Sequence, residues 1–305
     1  MLTDQFSQAI EAVGLVAPDA IHADGLLHRF SPTGKPGDNA AWYCLFGDGT
    51  PAGVFGCWRT GLTETWCSMP QQQLSARERA ELRQRVQQAK SLRDQEQAQR
   101  QQAAQQSARA RWDAAKPAHQ HPYALVKGIA ANGLRVDADG ILLVPMLDVF
   151  GTLHSLQTIA PDGTKRFLAG GRVRGCFHAI GTLGKALVIC EGVATGRSIH
   201  EATGLPVACA FSAGNLGPVA RALRQRYTHL QLLIAADDDH ATVDNPGLTA
   251  AHAAALAVGG AVVVPQFPAD RPRKATDFND LFSLAGAGAV RSCFAEAWEG
   301  LSDGL

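Results

Sequence analysis

Three apolar runs in the C-terminal half of this chain are each followed by acid. "ALVICEG" places Glu191 and a glycine after residues 186–190, and "LLIAADDD" places Asp237, Asp238 and Asp239 after 232–236. "KATDFNDL", with Asp277 and Asp280, lies beyond the run "AVVVP" at 261–265. One acid in such a place is an ordinary helix cap. Acids at several strand ends that meet on one rim are different, because clustered carboxylates repel one another and need a counter-charge. Hard divalent cations with oxygen ligands supply it, and Mg²⁺ in particular binds through a few carboxylates plus substrate phosphates. The chemistry implied is phosphate chemistry with Mg²⁺ or Mn²⁺. Side-chain alternation in an extended segment puts Asp237 and Asp239 on one side and turns Asp238 away.

The elements that must position these acids are legible. From residue 186 the chain alternates strand and helix: "ALVIC", helix 193–203, "PVACAF", helix 217–227, "LQLLIAA", helix 247–258, "AVVVP". Near-continuous apolar strands separated by helices indicate a parallel sheet covered on both faces. Functional groups in such sheets lie at the carboxyl ends of the strands. That rule gathers Glu191, the segment Ser212, Gly214 and Asn215, the Asp237–Asp239 cluster, and Asp277. The glycine after Glu191 suits a tight turn that brings backbone near a ligand.

Upstream, residues 1–72 read as a small β-rich module in which "GLLHRF", "AWYCLFG" and "AGVFGCW" are separated by turn clusters. Trp42, Trp58 and Trp66 read as its core, with base stacking the alternative. Residues 73–116 contain no Gly or Pro between 74 and 116 and are rich in Ala, Gln, Arg and Glu, a long solvated helical linker opened by the capping box Ser75/Glu78. Residues 117–185 read as a basic α+β subdomain with a hairpin, strand 140–147 and strand 152–159 around "DVFG". Residues 186–285 form the α/β unit, and 286–305 a C-terminal helix and tail.

The formal net charge of zero conceals an asymmetry. Residues 1–74 carry 3 basic and 7 acidic side chains, 75–116 carry 10 and 5, 117–190 carry 7 and 4, and 191–305 carry 8 and 12. A basic middle beside an acidic C-terminal half suits a polyanion-binding protein with a carboxylate metal site. The seven cysteines form no CxxC pair, so no zinc knuckle is expected, and they read as reduced thiols of a cytoplasmic protein. No apolar run reaches the roughly 18 residues of a membrane helix, and "MLTDQFSQAIEAVG" lacks the basic start of a secretory signal. GxGxxG and GxxxxGK[ST] are both absent, so a helicase motor of that kind would be a separate protein.

The order strand–Glu–Gly, then strand–Asp-x-Asp, within about 100 residues resembles the Toprim domain, a parallel Rossmann-like α/β fold. "EGVATG" is similar to the EGYATA-type signature of primases from conjugative plasmids and satellite phages, with Val193 in the place of Tyr. "HPYALVKGI" at 121–129 and "GLRV" at 133–136 are similar to the segment that opens the catalytic region of such primases. The resemblance spans roughly residues 117–285. It implies that Glu191 is a general acid/base or a metal-associated carboxylate, that Asp237 and Asp239 are metal ligands, and that Asp277 helps hold metal. It implies that Lys127, Lys165, Arg166 and Arg172, with Asn215, bind nucleotide and template. The expected activity is metal-dependent synthesis of short primers from NTPs on single-stranded DNA, in mobile-element replication or transfer. Two metal ions about 4 Å apart suit that reaction. A Toprim nuclease with the same acids and a non-catalytic DNA-binding module are the alternatives. A topoisomerase needs a nucleophilic tyrosine and a strand-gating body, and the tyrosines here are 43, 123 and 227.

Overall fold

The computed structural model describes residues 2–302, which divide into two compact units between Gln99 and Arg100. In the first unit, helix α1 (Leu2–Ala12) precedes four antiparallel strands in sequential order: β1 (Asp24–Phe30), β2 (Ala41–Phe46), β3 (Ala52–Cys57) and β4 (Leu62–Cys67). Alternation sends Tyr43, Leu45 and Phe55 to one face, against Phe6 and Ile10 of α1, and Trp42, Cys44 and Val54 to the other. Trp42 is fully buried there, beside Ala89 of helix α2 (Ala76–Ala114). The capping box forms: Ser75 N–H donates to Glu78 Oε2 (2.8 Å) and Glu78 N–H donates to Ser75 Oγ (3.2 Å).

The expectation of a helix solvated all round needs correction. Ala89, Ala104 and Ala108 of α2 are buried, the first against the N-terminal sheet and the last, with Trp112, against Leu143 and Leu156 in the second unit. Alanines are small enough to let a helix lie close on a sheet, and they produce almost no apolar periodicity, which is why the contact left no trace in the pattern.

In the second unit an antiparallel sheet runs in sequential order through β5 (Lys116–Pro117), β6 (Arg135–Val136), β7 (Leu142–Leu147), β8 (Leu153–Ile159) and β9 (Lys165–Phe167), with helix α3 (Pro122–Lys127) between β5 and β6. The β7–β8 hairpin is as expected, its turn held by Asp148 Oδ1, which accepts from Phe150 N–H and Thr152 N–H. Leu143 faces α2, whereas Leu142, Val144 and Ile159 face the parallel sheet that follows.

That sheet has the order β10-β12-β11-β13-β14. Strands β11 (Ala186–Cys190), β12 (Val207–Cys209), β13 (Gln231–Ala235) and β14 (Ala261–Val263) are parallel, and β10 (His178–Ile180) is an antiparallel edge on β12. At three residues, β10 is too short for any periodicity to announce it. Helices α4 (Val193–Thr203) and α7 (Phe278–Ser302) cover one face; α5 (Ala213–Arg226) and α6 (Pro246–Val258) cover the other. Helix α5 begins four residues earlier than the sequence suggests, with Pro218 inside it, and α7 runs on past residue 285 through a non-helical backbone at Gly286. Leu142, Val144 and Ile159 share one core cluster with Val188, Cys190, Leu233 and Phe278, so both sheets of this unit are mounted on common packing.

Gly196 shows how tightly α4 is seated. A Cβ there would lie 2.5 Å from Cys209 Sγ and 3.2 Å from both Cys190 Sγ and Ile180 Cδ1. We expect Gly196→Ala to destabilise the fold by about 1–2 kcal/mol in urea titration, overpacking outweighing the better helix propensity of alanine. Adding Cys209→Ala should recover at least half of that loss; strict additivity of the two single changes would show that the sulfur contact is not the cause.

Candidate active site

The three acidic segments converge at the carboxyl ends of β11, β13 and β14, each held by a different local device. Glu191 follows β11 directly. Its backbone carbonyl accepts from Phe211 N–H (2.7 Å), tying the turn after β11 to the turn after β12. Asp237 follows β13, and the next two residues diverge as alternation requires. Asp238 turns away and binds Arg271 Nη1 (2.5 Å) and Asn245 Nδ2 (2.6 Å). Asp239 stays on the site side, where Oδ2 accepts from Gly247 N–H (3.1 Å) at the start of α6. Gly247 is required at that point, since a Cβ would lie 2.5 Å from the Asp237 carbonyl. Asp277 and Asp280 cap α7 reciprocally: Asp280 N–H donates to Asp277 Oδ1 (2.9 Å), and Thr276 N–H donates to Asp280 Oδ2 (2.9 Å). The second oxygen of Asp277 accepts from Thr195 Oγ1 (3.1 Å). The ordinary reading of these acids as helix caps is therefore true of Asp239, Asp277 and Asp280, and each capping bond leaves part of the carboxylate available.

Between them lies a cavity of about 170 Å³ lined by Lys127, Lys165, Glu191, Gly192, Ala194, Thr195, Phe211, Asp237 and Asp277. Two of the expected basic residues thus meet the acids. Lys127 ends α3; its carbonyl accepts from Asn279 Nδ2 (2.8 Å), and its Nζ stands 3.9 Å from Asp280 Oδ1. Lys165 is an exposed residue that lines the cavity, with its ammonium over the Tyr123 ring at 5.3 Å. Burial lowers its pKa, and Asp277 and Asp237 pull the other way. Arg166, next along β9, points to the opposite face, and the Arg172 guanidinium is engaged by the Arg174 carbonyl (3.2 Å) and His154 (3.4 Å). Neither lines the cavity.

Asn215 needs correction. It is buried, its amide donates to the carbonyls of Val173, Cys176 and Ala210, and its Oδ1 accepts from Gly175 N–H (2.8 Å). With both ends of the amide committed, it pins the 173–176 loop to the end of β12 and has nothing left for a nucleotide. A larger, more open depression of about 650 Å³ lies around Lys185, Arg226 and Gln231, where β11 and β13 begin rather than end, and none of the acids reaches it.

Sequence reasoning missed Phe211, Thr195, Asn245, Arg271 and Asn279. Thr195 lies within "EGVATG" and could have been singled out, and Asn245 bonds Asp238 and Asp239 only six or seven residues away; Phe211, Arg271 and Asn279 act through partners distant in sequence. Phe211 is the notable one. It is one of three non-glycine residues with positive φ among the described residues, at 72°, and the other two are Asp244 and Asn245. A left-handed backbone costs an ordinary L residue about 1–2 kcal/mol.

The electrostatics record the crowding. Burial first, then Asp239, raises the Glu191 carboxyl to about 7. Burial first, then Glu191 and Asp277, raises Asp237 to about 8. Asp277 is raised as well, by burial and then by Asp280. Asp237 Oδ1 is buried with no hydrogen-bond partner. An orphaned carboxylate oxygen beside a second unneutralised carboxyl fits a divalent cation, which would ionise both. Among the described residues no three or more acidic, His or Cys side chains stand close enough to cage an ion unaided.

A carboxyl whose folded pKa lies above its unfolded value stabilises the fold while protonated, and the contribution is lost as pH rises through the folded pKa. Without divalent metal, the stability of the chain should therefore fall between pH 6.5 and 8.5 relative to that of Asp237→Asn. We expect the variant to be the more stable form at pH 8.5, by at least about 1 kcal/mol, or roughly 2–4 °C in Tm for a unit of this size. Parallel melting curves for the two proteins across that range would contradict the electrostatic account.

Residues 186–288 match the family described as the Toprim domain. Two Escherichia coli proteins, each called DNA primase TraC, are 34% identical to the chain over 280 residues and 36% identical over 282; each alignment covers 87% of this chain. The chain spans about a quarter of the length of the first relative and a fifth of the second, at 26% and 19%. A solved DnaG primase catalytic domain bound to ssDNA is 12% identical, with a TM-score of 0.45 over 66% of this chain and 80% of that one, a likeness that stands beside the sequence match without adding to it. With the strand–Glu–Gly and Asp-x-Asp elements at adjacent ends of a parallel sheet, the chain carries a Toprim domain over residues 186–288, set within a stretch similar to DNA primase TraC.

Proposed function

We propose that this chain is a primase that joins NTPs on a single-stranded DNA template by metal-dependent nucleotidyl transfer. The observation that carries the reading is the composition of the cavity: Glu191, Asp237 and Asp277 line it together with Lys127 and Lys165. Acids alone would suit a cation store, and lysines alone an anion site. Together they suit a reaction in which cation and polyphosphate are held at once, where positioning and electrostatics supply most of the catalysis. The similarity to DNA primase TraC selects primer synthesis within that class.

Asp237 and Asp239, with Asp277, would hold Mg²⁺ or Mn²⁺. Held by these acids, a divalent cation would supply positive charge to offset that of the departing pyrophosphate and to lower the pKa of the 3′-hydroxyl. The chain's own residues do the rest. Lys165, partly desolvated, meets phosphate as a point charge, and Lys127 does so as well, released from its long 3.9 Å contact with Asp280. Glu191 belongs to the same carboxylate set through its coupling to Asp239 and Asp237. Arg271 keeps Asp238 out of the site by neutralising it, so the metal-facing charge is that of the aligned acids alone. Template contact falls to the basic surface of residues 117–185, including Arg166 and Arg172, and a replicative helicase would act as a separate partner. No described helix is long and apolar enough to cross a membrane.

Single-stranded DNA, NTPs and Mg²⁺ or Mn²⁺ should yield new labelled oligonucleotides. Asp237→Ala and Glu191→Gln should each reduce the yield by at least about 10²-fold with far-UV circular dichroism unchanged. Shortened template without new product would instead establish a nuclease. Independently of turnover, Mg²⁺ binding at pH 7 should release about one proton per chain, because it ionises carboxyls that the metal-free fold holds protonated. Calorimetric titration in buffers of different ionisation enthalpy measures this. Equal proton release from wild type and Asp237→Asn would remove Asp237 from the ligand set.

A further inference from the structure

At about 170 Å³ the cavity is smaller than the roughly 300–1,000 Å³ of sites that enclose a whole organic ligand. It has room for phosphates and a cation, so the sugar and base of a nucleotide held there must lie outside its mouth. What stands at that mouth is aromatic. Phe211 is the one large apolar side chain among the lining residues, half-buried, in a left-handed backbone that bulky residues rarely adopt. The turn that imposes this conformation is the one bonded to the Glu191 carbonyl, so the ring and the acid are positioned together. Phe167 meets Phe211 edge-to-face, at 6.2 Å and 90°, and is 41% exposed. On β9, Phe167 and Lys165 lie two residues apart on one face, opposite Gln157 and Ile159 of β8, and Ile159 packs toward the parallel sheet. One strand therefore presents a cation to the cavity and a phenyl ring beside its mouth.

We propose that Phe167, held edge-to-face by Phe211, is the stacking platform for the base of the nucleotide whose phosphates meet Lys127 and Lys165. This rests on the nucleotidyl-transfer reading above and names two residues it does not require. Phe211 meets Phe167 edge-to-face, yet Phe167 stays 41% exposed, and a nucleobase offers a flat apolar face to cover it. Stacking on phenyl rings tolerates any base, as copying a template of arbitrary sequence demands, and favours purines by their larger face.

The test uses the full chain and ATP. Phe167→Ala removes an exposed ring, and Phe211→Gly removes the other ring while suiting the positive φ. Each should raise the Kd for ATP in Mg²⁺, and the KM for ATP in primer synthesis, by roughly 5- to 100-fold, with a smaller effect for UTP. Phe167→Trp should bind ATP at least as tightly as wild type, and Phe167→Leu should bind it as weakly as Phe167→Ala. Unchanged Kd in both ring-deletion variants, or tight binding by Phe167→Leu, would overturn the platform. The binding readout separates the two readings. Ring-dependent ATP binding by a chain that makes no oligonucleotide keeps the platform and sinks the primase; primer synthesis with ring-independent binding does the reverse. A wild-type chain that does not bind ATP in Mg²⁺ sinks the platform outright.

Discussion

The constraint on which this molecule turns is the mutual repulsion of carboxylates held at one end of a parallel sheet. Glu191, Asp237, Asp239 and Asp277 come from three separate segments, and burial strengthens their repulsion by removing the water that would screen it. A fold selected for stability alone would not place them together. The surrounding devices either divert part of that charge or supply charge of opposite sign.

Diversion is local. Asp238 is removed from the cluster by strand alternation, neutralised by Arg271 and hydrogen-bonded by Asn245. Asp239 and Asp277 each use one oxygen at the start of a helix, where free backbone N–H groups are available. Asp237 has no such relief for Oδ1, and it is the carboxyl raised furthest among the acids of the site. Opposite charge comes from farther away, through Lys127 at the end of α3 and Lys165 on β9, both outside the parallel sheet. Their placement depends on the core shared by the antiparallel and parallel sheets, and on Asn279, whose amide reaches both the Lys127 carbonyl and Ser198. The strain at Phe211 belongs to the same pattern of local cost accepted at this rim.

Most of the second unit was legible in the sequence because its signals are local. Apolar strands, intervening helices and the acid after each strand all lie within a few residues of one another, so Glu191, Asp237 and Asp277 could be grouped from topology alone. Helix α4 falls on the residues that periodicity predicts, 193–203. The readings that changed depend on contacts across long separations. Asn215 has a polar side chain in a place suited to a ligand, but Gly175, 40 residues away, uses its oxygen. Arg166 and Arg172 share the basic segment of Lys165, yet one is turned by the pleat and the other is held by its own loop. Helix α2 has the composition of a solvated rod, yet buries alanines on sheet faces.

The sequence by itself determined the order of elements, the parallel sheet, and the set of acids that reach one rim of it, because hydrophobic period and chain topology specify which strand ends are neighbours. Tertiary structure alone decided which charges face one another. It chose Lys127 and Lys165 over the arginines, made Asn215 a structural pin, left Asp237 Oδ1 without a partner, and set Phe211, with Phe167 against it, at a cavity of about 170 Å³. Distances across the fold set those outcomes, and a linear pattern carries no distances between segments that meet only when the core closes.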